Sequence, residues 1–231
     1  MKYRRLHSWN VTARKAREIQ ERLRPRLEQA WDGRPVRTVA AADVGFPDKS
    51  TVLAAVAVLT YPDLEVMETR VVKQHCAFPY VPGLLAFREA PALLAALGRL
   101  TGVPDLLVCD AHGYAHPRKM GLASHVGILL DLPSIGCAKS LLCGSFGRLS
   151  KRRGSRSPIL EAGETIGAAV RTRDGVQPVY VSVGHRIDLA TAIDFVLRMG
   201  SGFRIPEPLR LAHRLSIGER VAVAAARRSD R

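Results

Sequence analysis

VRTVAAADVGFPDKSTVLAAVAVLTYPDLEVMETRVVKQ, running from Val36 to Gln74, holds three strand-like runs: Val36 to Asp43, Thr51 to Tyr61 and Leu64 to Gln74. They are rich in β-branched residues, and the third alternates in part. The links GFPDKS and Pro62-Asp63 are far shorter than the dozen or so residues of a parallel crossover, so the three runs read as antiparallel neighbours. Further along, Leu84 to Leu100 reads as a helix, Leu106 to Asp110 as a short buried strand, Leu122 to Leu130 as a helix and Ser134 to Gly136 as a strand. Strand–helix–strand order implies parallel strands. Thr165 to Arg171 and Val179 to Val183 suit a hairpin around Arg173-Asp174-Gly175, and Asp188 can cap a helix that ends at Met199 before Gly200. The expected fold class is α/β, a mixed sheet of three antiparallel strands and then parallel strands, flanked by helices.

On the N-terminal side, Ala16, Ile19, Leu23, Leu27 and Ala30 form an apolar stripe at helical spacing, so Trp9 to Asp32 is expected as a helical arm within residues 1–33. Pro25 should kink or split it. Arg14, Arg17, Arg22, Arg24 and Arg26 coat the remainder, as a solvated face or as phosphate contacts. Residues 147–157, GRLSKRRGSRS, are expected as a basic flexible loop, and 216–231 as an Arg-rich tail of the same single domain, 1–231.

The chain has 231 residues, 47% hydrophobic and 24% charged, a globular balance that argues against intrinsic disorder. Its net charge of +14 points to a polyanionic partner, nucleic acid first and an anionic membrane surface second. Cys76, Cys109, Cys137 and Cys143 form no C-x-x-C pair, so zinc of the usual spacing is not expected. MKYRRLHSWNV lacks the apolar region of a secretory signal, and no apolar run reaches the roughly 18 residues of a membrane span. A cytoplasmic protein with reduced thiols and no membrane partner is expected. Oligomeric state is not legible, and a monomer is the working expectation.

Two aspartates end apolar runs, Asp43 in VAAAD and Asp110 in LLVCD. The ends of buried strands border the crevice where open α/β sheets place their sites. If the two strands are neighbours, the carboxylates converge, and a hard divalent cation relieves their repulsion. Oxygen ligation selects Mg2+ or Mn2+. Glu89, early in the Leu84–Leu100 helix, is a third ligand or simply a favourable first-turn charge. The loop Pro79-Tyr80-Val81-Pro82-Gly83 is stiffened by prolines. It reads as an aromatic wedge between stacked bases or as an ordinary connection with a core tyrosine. Asp110 to Gly121 is dense in glycine, histidine and cations. His112 or His116 could assist a proton transfer or contact a phosphate, and Lys139 could offset phosphate charge.

These motifs resemble endonuclease V. The residues that carry the resemblance are VAAADVGF around Asp43, PYVPGLLAFREAP from Pro79 to Pro91, DAHGYAHPRKMGLASHVGILLDLPSIGCAKS from Asp110 to Ser140, and VGHRIDLATA from Val183 to Ala192. The resemblance spans roughly residues 9 to 215 and implies a ribonuclease H-like fold. It also implies Mg2+-dependent cutting of DNA at the second phosphodiester bond 3′ of deoxyinosine, leaving 3′-hydroxyl and 5′-phosphate ends. By motif position, Asp43, Glu89 and Asp110 match the metal site, Tyr80 the wedge, and His116 and Lys139 positions near the reacting phosphate. His213, in LAHRLS, resembles a C-terminal histidine of that site. A base pocket would draw on Gly83, Leu85, Gly113 and Gly121, whose backbone groups can read a flipped hypoxanthine. Many members carry Asp-Gly-His-Gly where this chain has Asp110-Ala111-His112-Gly113, and alanine disfavours positive φ. Two alternatives stay open: an inosine-directed ribonuclease and a nucleic-acid-binding module without turnover.

Overall fold

The computed structural model describes residues 1–221. The expected Arg-rich tail beyond Val221 lies outside the described residues. The first three strands are β1 (Thr38–Gly45), β2 (Thr51–Thr60) and β3 (Val66–His75), antiparallel in sequence order. Two parallel strands follow on the other side of β1: β4 (Leu106–Cys109) and β5 (Ser134–Ala138). The sheet then continues through β6 (Ser145–Phe146), β7 (Arg156–Glu161), β8 (Glu164–Val170) and β9 (Val179–His185), giving the order β3-β2-β1-β4-β5-β9-β8-β7-β6. The expected mixed sheet is present, with a wing of four antiparallel strands beyond β5.

Among the described residues five α-helices accompany the sheet: α1 (Ala13–Leu23), α2 (Leu85–Gly98), α3 (Leu122–Leu130), α4 (Leu189–Arg198) and α5 (Glu207–Ser216). Strand alternation sorts the core. Ala40, Ala42, Leu107 and Cys109 pack with α2 and α3 on one face, while Val39, Ala41, Leu106 and Val108 pack with α4 and α5 on the other. From Val39 to Ala42 and from Leu106 to Cys109 both strands are apolar on both faces, and the next residue in each is an aspartate.

The helical arm is shorter than its stripe suggested. Thr12 caps α1, its Oγ1 accepting from Lys15 N–H at 3.3 Å. The helix stops at Leu23, and Pro25 sits in one 3-10 turn, Arg24–Arg26. Glu28 then leaves the helix altogether: its C=O accepts from Arg186 N–H and its N–H donates to His185 Nδ1. The 147–157 segment also needs correction, because Arg156 and Ser157 begin β7. That strand alternates exposed Arg156, Pro158 and Leu160 with buried Ser157 and Ile159, a pattern hidden by its basic start and its proline. Strand β1 also runs two residues past Asp43, so only Asp110 follows the end of its strand.

Candidate active site

Parallel pairing of β1 with β4 sets Ala42 opposite Cys109, and Asp110 N–H donates to Ala42 C=O at 2.9 Å. One position further on, Asp43 and Asp110 stand side by side, on the face that carries α4 and α5. Helix α5 supplies His213 and Ser216 at an i, i+3 spacing, so both point the same way. His213 Nδ1 lies 2.8 Å from Asp43 Oδ2, and Ser216 Oγ donates to that oxygen at 2.7 Å. Ligand atoms of Asp43, Asp110 and His213 all lie within 4.8 Å of one another. Lys139, one residue past β5, places Nζ 2.5 Å from Asp110 Oδ2. This is a charge contact whose geometry leaves the buried Oδ2 without a well-formed hydrogen bond.

Glu89 stands beside this group rather than within it. It is buried in the second turn of α2, so it is not the favourable first-turn charge that one reading allowed. Burial, then the charges of Asp43 and Asp110, push its carboxyl well above the usual range. Asp110 is raised too, by burial first and Asp43 next, with Lys139 opposing. Two carboxyls held against ionisation by burial and by Asp43, Glu89 by Asp110 as well, are what a hard divalent cation would relieve. Asp43 and Asp110 therefore fit such an ion, with His213 as the third converging ligand and Glu89 close enough to feel both charges.

Next to the carboxylates lies a cavity of about 260 Å³, bounded by Val81-Pro82-Gly83, Leu85, Ala111-His112, His116, Gly121 and Leu141. Three of the four expected pocket residues line it: Gly83, Leu85 and Gly121. Gly83 adopts φ +74°, and Leu85 opens α2 with no side-chain cap, leaving N-terminal N–H groups of the helix without intrahelical partners. Gly113 is not in the cavity wall. A Cβ there would meet Val183 O at 2.1 Å, so it is a packing glycine against β9.

The expected role of His116 near a phosphate also changes. Its Nδ1 accepts from Arg118 N–H at 3.1 Å, so Nε2 carries the proton and donates to Gly83 C=O at 2.9 Å. Burial, then the Arg118 charge, lowers its pKa to about 4. A neutral imidazole with both nitrogens engaged holds the Gly83 turn. His112 Nε2 similarly donates to Ser140 C=O at 2.9 Å. Tyr80 is 72% exposed on the cavity rim, which excludes the core-tyrosine reading, while Phe78 beneath it is buried and anchors the loop. Ala111 keeps a φ that an L-residue adopts without strain and adds only a methyl to the cavity wall.

Two contributors were not read from sequence. Ser216 was detectable as a hydroxyl three residues after His213. Gln20 occupies the i+4 position of the α1 stripe after Ala16, where an apolar residue is expected, and it is fully buried. Its Nε2 donates to Gly83 C=O (3.1 Å) and Met120 C=O (3.0 Å), and its Oε1 accepts from Arg118 Nε (2.6 Å). One side chain thus ties both glycine turns of the cavity together. Gln20→Met should lower stability by about 1–3 kcal/mol, because Met120 C=O is left buried and unpaired. Urea melting would check this, and an unchanged midpoint would refute it.

The sequence profile of the endonuclease V family matches residues 18–214. Endonuclease V of Gloeobacter violaceus is 51% identical over 215 residues, covering 91% of this chain and 87% of that protein. The crystal structure of endonuclease V from Streptomyces avermitilis is similar with a TM-score of 0.86 at 42% identity, covering 94% of this chain and 96% of that one. Ciona intestinalis endonuclease V, solved with a 24mer DNA containing an inosine followed by a ribo-adenosine, is similar with a TM-score of 0.78 at 26% identity, over 88% and 95% of the two chains.

Proposed function

This chain belongs to the endonuclease V family of nucleases, with its ribonuclease H-like fold, and from that premise we propose that it cuts DNA at the second phosphodiester bond 3′ of deoxyinosine. The products carry 3′-hydroxyl and 5′-phosphate ends, the cofactor is Mg2+ with Mn2+ as a substitute, and the role is repair of deaminated adenine. The observation that carries this reading is the half-buried pair Asp43 and Asp110, side by side with His213 against them, next to a cavity with an exposed tyrosine on its rim.

Each residue then has a task. Tyr80, on its proline-stiffened loop, fills the gap left when the inosine leaves the stack, and so offsets part of an unstacking cost of a few kcal/mol. The Gly83 turn and the uncapped start of α2 at Leu85 offer backbone N–H groups to the O6 of the flipped base. Hypoxanthine differs from adenine by presenting an acceptor there. His116, Arg118 and Gln20 all donate to Gly83 C=O, which fixes the orientation of that peptide. His213 and Ser216 orient Asp43, and Lys139 sits where it can meet a phosphate oxygen. A divalent ion held by Asp43, Glu89 and Asp110 would supply activation of water and stabilisation of the leaving oxygen.

The test is a nicking assay on matched inosine and adenine duplexes, with and without Mg2+, mapping the cut, and with an inosine RNA strand alongside. Inosine-dependent cutting one nucleotide beyond the lesion's own 3′ phosphate supports the reading. Faster cutting of the RNA moves the substrate to inosine RNA, and binding without cutting under Mg2+ or Mn2+ leaves a binding module. Tyr80→Ala should weaken binding to the lesion duplex more than to the single strand, since only the duplex needs a wedge. Equal losses on both substrates would remove the wedge role.

A further inference from the structure

The wing of strands beyond β5 has one end at the same side of the sheet as the carboxylates. Strand β8 runs parallel to β5, because both are antiparallel to β9, so its carboxyl end and the start of β7 share the edge where Lys139 follows β5. Two loops meet there, 147–155 before β7 and 171–178 after β8. They are bound to each other by backbone hydrogen bonds from Gly154 N–H to Arg171 C=O, Arg171 N–H to Ser155 C=O and Gly175 N–H to Lys151 C=O, each 2.8 Å. Arg153 and Arg171 are already engaged: Arg153 Nη2 donates to Leu197 C=O in α4, and Arg171 Nε donates to Ser150 C=O within the unit. Arg204 Nη2 donates to the carbonyls of both Pro178 and Lys139, so the unit is tied to the turn that carries the Asp110 contact.

Five cations remain on its surface. Arg148, Lys151, Arg152, Arg156 and Arg173 are exposed, and none has a carboxylate partner among the described residues. The one acid in the two loops, Asp174, is occupied by Arg153 N–H. Like charges gathered on a hydrogen-bonded scaffold, with no internal counter-charge, repel one another and gain when an anion chain lies across them. Four strand steps separate β4 from β7, which at about 4.8 Å per step is roughly 19 Å. At about 3.4 Å per base pair, that is five or six base pairs of duplex.

We propose that this rim is a second docking tract, which takes the phosphate backbone of the duplex flanking the cut about five base pairs away. The proposal rests on the nuclease reading above and adds to it a surface remote from the lesion. A lipid surface is the weaker fit, because the rim is continuous with the site and shares its sheet edge.

The experiment uses inosine duplexes whose two flanks are trimmed separately from twelve to three base pairs. The enzymes are wild type, a rim variant (Lys151→Gln, Arg152→Gln, Arg173→Gln) and a control of equal charge loss at the opposite sheet end (Arg34→Gln, Arg37→Gln, Arg99→Gln). For wild type and control, kcat/KM should fall about tenfold or more when one particular flank is trimmed. The rim variant should already have lost that dependence, with its melting temperature unchanged. Three fewer phosphate contacts also flatten the log–log salt slope by about 2.7, so raising salt fourfold should cost wild type about 40-fold more affinity than the variant. A rim variant that keeps the flank dependence and the salt slope overturns the proposal, as does a control that loses both. Loss of binding to phosphatidylserine vesicles with the flank dependence intact overturns it in favour of a membrane. If wild type nicks none of the duplexes, the inosine reading fails by itself. Anisotropy on the same duplexes then decides the rim: a flattened slope in the variant supports it and an unchanged slope overturns it.

Discussion

An Asp110→Asn enzyme should nick inosine DNA at least about 10³-fold more slowly than wild type, yet melt no lower when both are stripped of divalent ions. The first half follows from the donor set. Ion-borne charge stabilisation in phosphodiester cleavage is worth several kcal/mol, and each ~1.4 kcal/mol is a factor of ten in rate. An amide keeps the shape of the carboxylate and removes its charge. The second half follows from the repulsion at the site. Asp110 is buried beside Asp43, with Glu89 behind them, and the carboxyls of Glu89 and Asp110 are both held above their usual range by burial and by these neighbours. Such groups bind protons more tightly in the folded chain than in the unfolded one. Their contribution is therefore present at acid pH and lost as pH rises through the raised values. Removing one of them should leave the metal-free protein with a shallower loss of stability on the alkaline side of the ordinary carboxylate range. Affinity for a divalent ion runs the other way and rises with pH, since the ligands must give up protons to hold it. Calorimetric melting with EDTA and with Mg2+ checks both halves. A variant that cuts like wild type, or that Mg2+ stabilises as much as it does wild type, would show that Asp110 is no ligand.

Much of this site was legible because the chain places its chemistry where periodicity breaks. Asp43 and Asp110 interrupt runs that are otherwise apolar on both faces, and a charge there is either a mistake or a function. The strand–helix–strand order gave the parallel pairing of β4 with β5, but that β1 neighbours β4, which brings the two aspartates together, was only a condition in the sequence and is a fact of the sheet order. The strands missed, β6 and β7, are short or begin in a run of cations, and an amphipathic strand next to the sheet edge with Pro158 in it carries little local signal. Helix α5 begins with Pro206 and Pro208 near its first turn, so its apolar positions, Leu209, Ala212 and Leu215, did not stand out although they are buried. His213 was expected on motif position alone, and only the helix explains why Ser216 joins it. His116 shows the opposite limit. Its place in a cation-rich loop after Asp110 suggested phosphate chemistry, but its hydrogen-bond partners Gly83 and Arg118 are settled by tertiary packing that no local pattern encodes.

Gly113→Ala should destabilise the fold strongly, as should Gly121→Ala, whose methyl also meets only backbone, and the cost at Gly113 should be independent of substrate. Its new methyl would lie 2.1 Å from Val183 O, 2.7 Å from Val183 C and 3.1 Å from Gly184 Cα. All three are backbone atoms of β9 and the loop's close partner, so no side chain can swing away. The same short stretch is pinned by three hydrogen bonds: Gly113 N–H to Ser182 Oγ (2.9 Å), Tyr114 N–H to Val183 C=O (2.7 Å) and Gly121 N–H to Gly113 C=O (2.9 Å). Overpacking of that kind costs about 3 kcal/mol or more, which for a chain of this size is a fall of roughly 6–12 °C in melting temperature. Gly147→Ala is the fitting control, since its methyl would meet only Ser157 Oγ at 3.6 Å, and a change within about 0.5 kcal/mol is expected there. The comparison also separates the two roles proposed for this glycine. A pocket residue would lose discrimination of inosine from adenine while the fold stayed intact. A packing residue lowers the melting temperature of the free protein, and at temperatures where the variant is folded it cuts inosine over adenine with the wild-type ratio. If Gly113→Ala melts like wild type but no longer prefers inosine, Gly113 belongs to the pocket and the β9 contact is not what requires a glycine at this position.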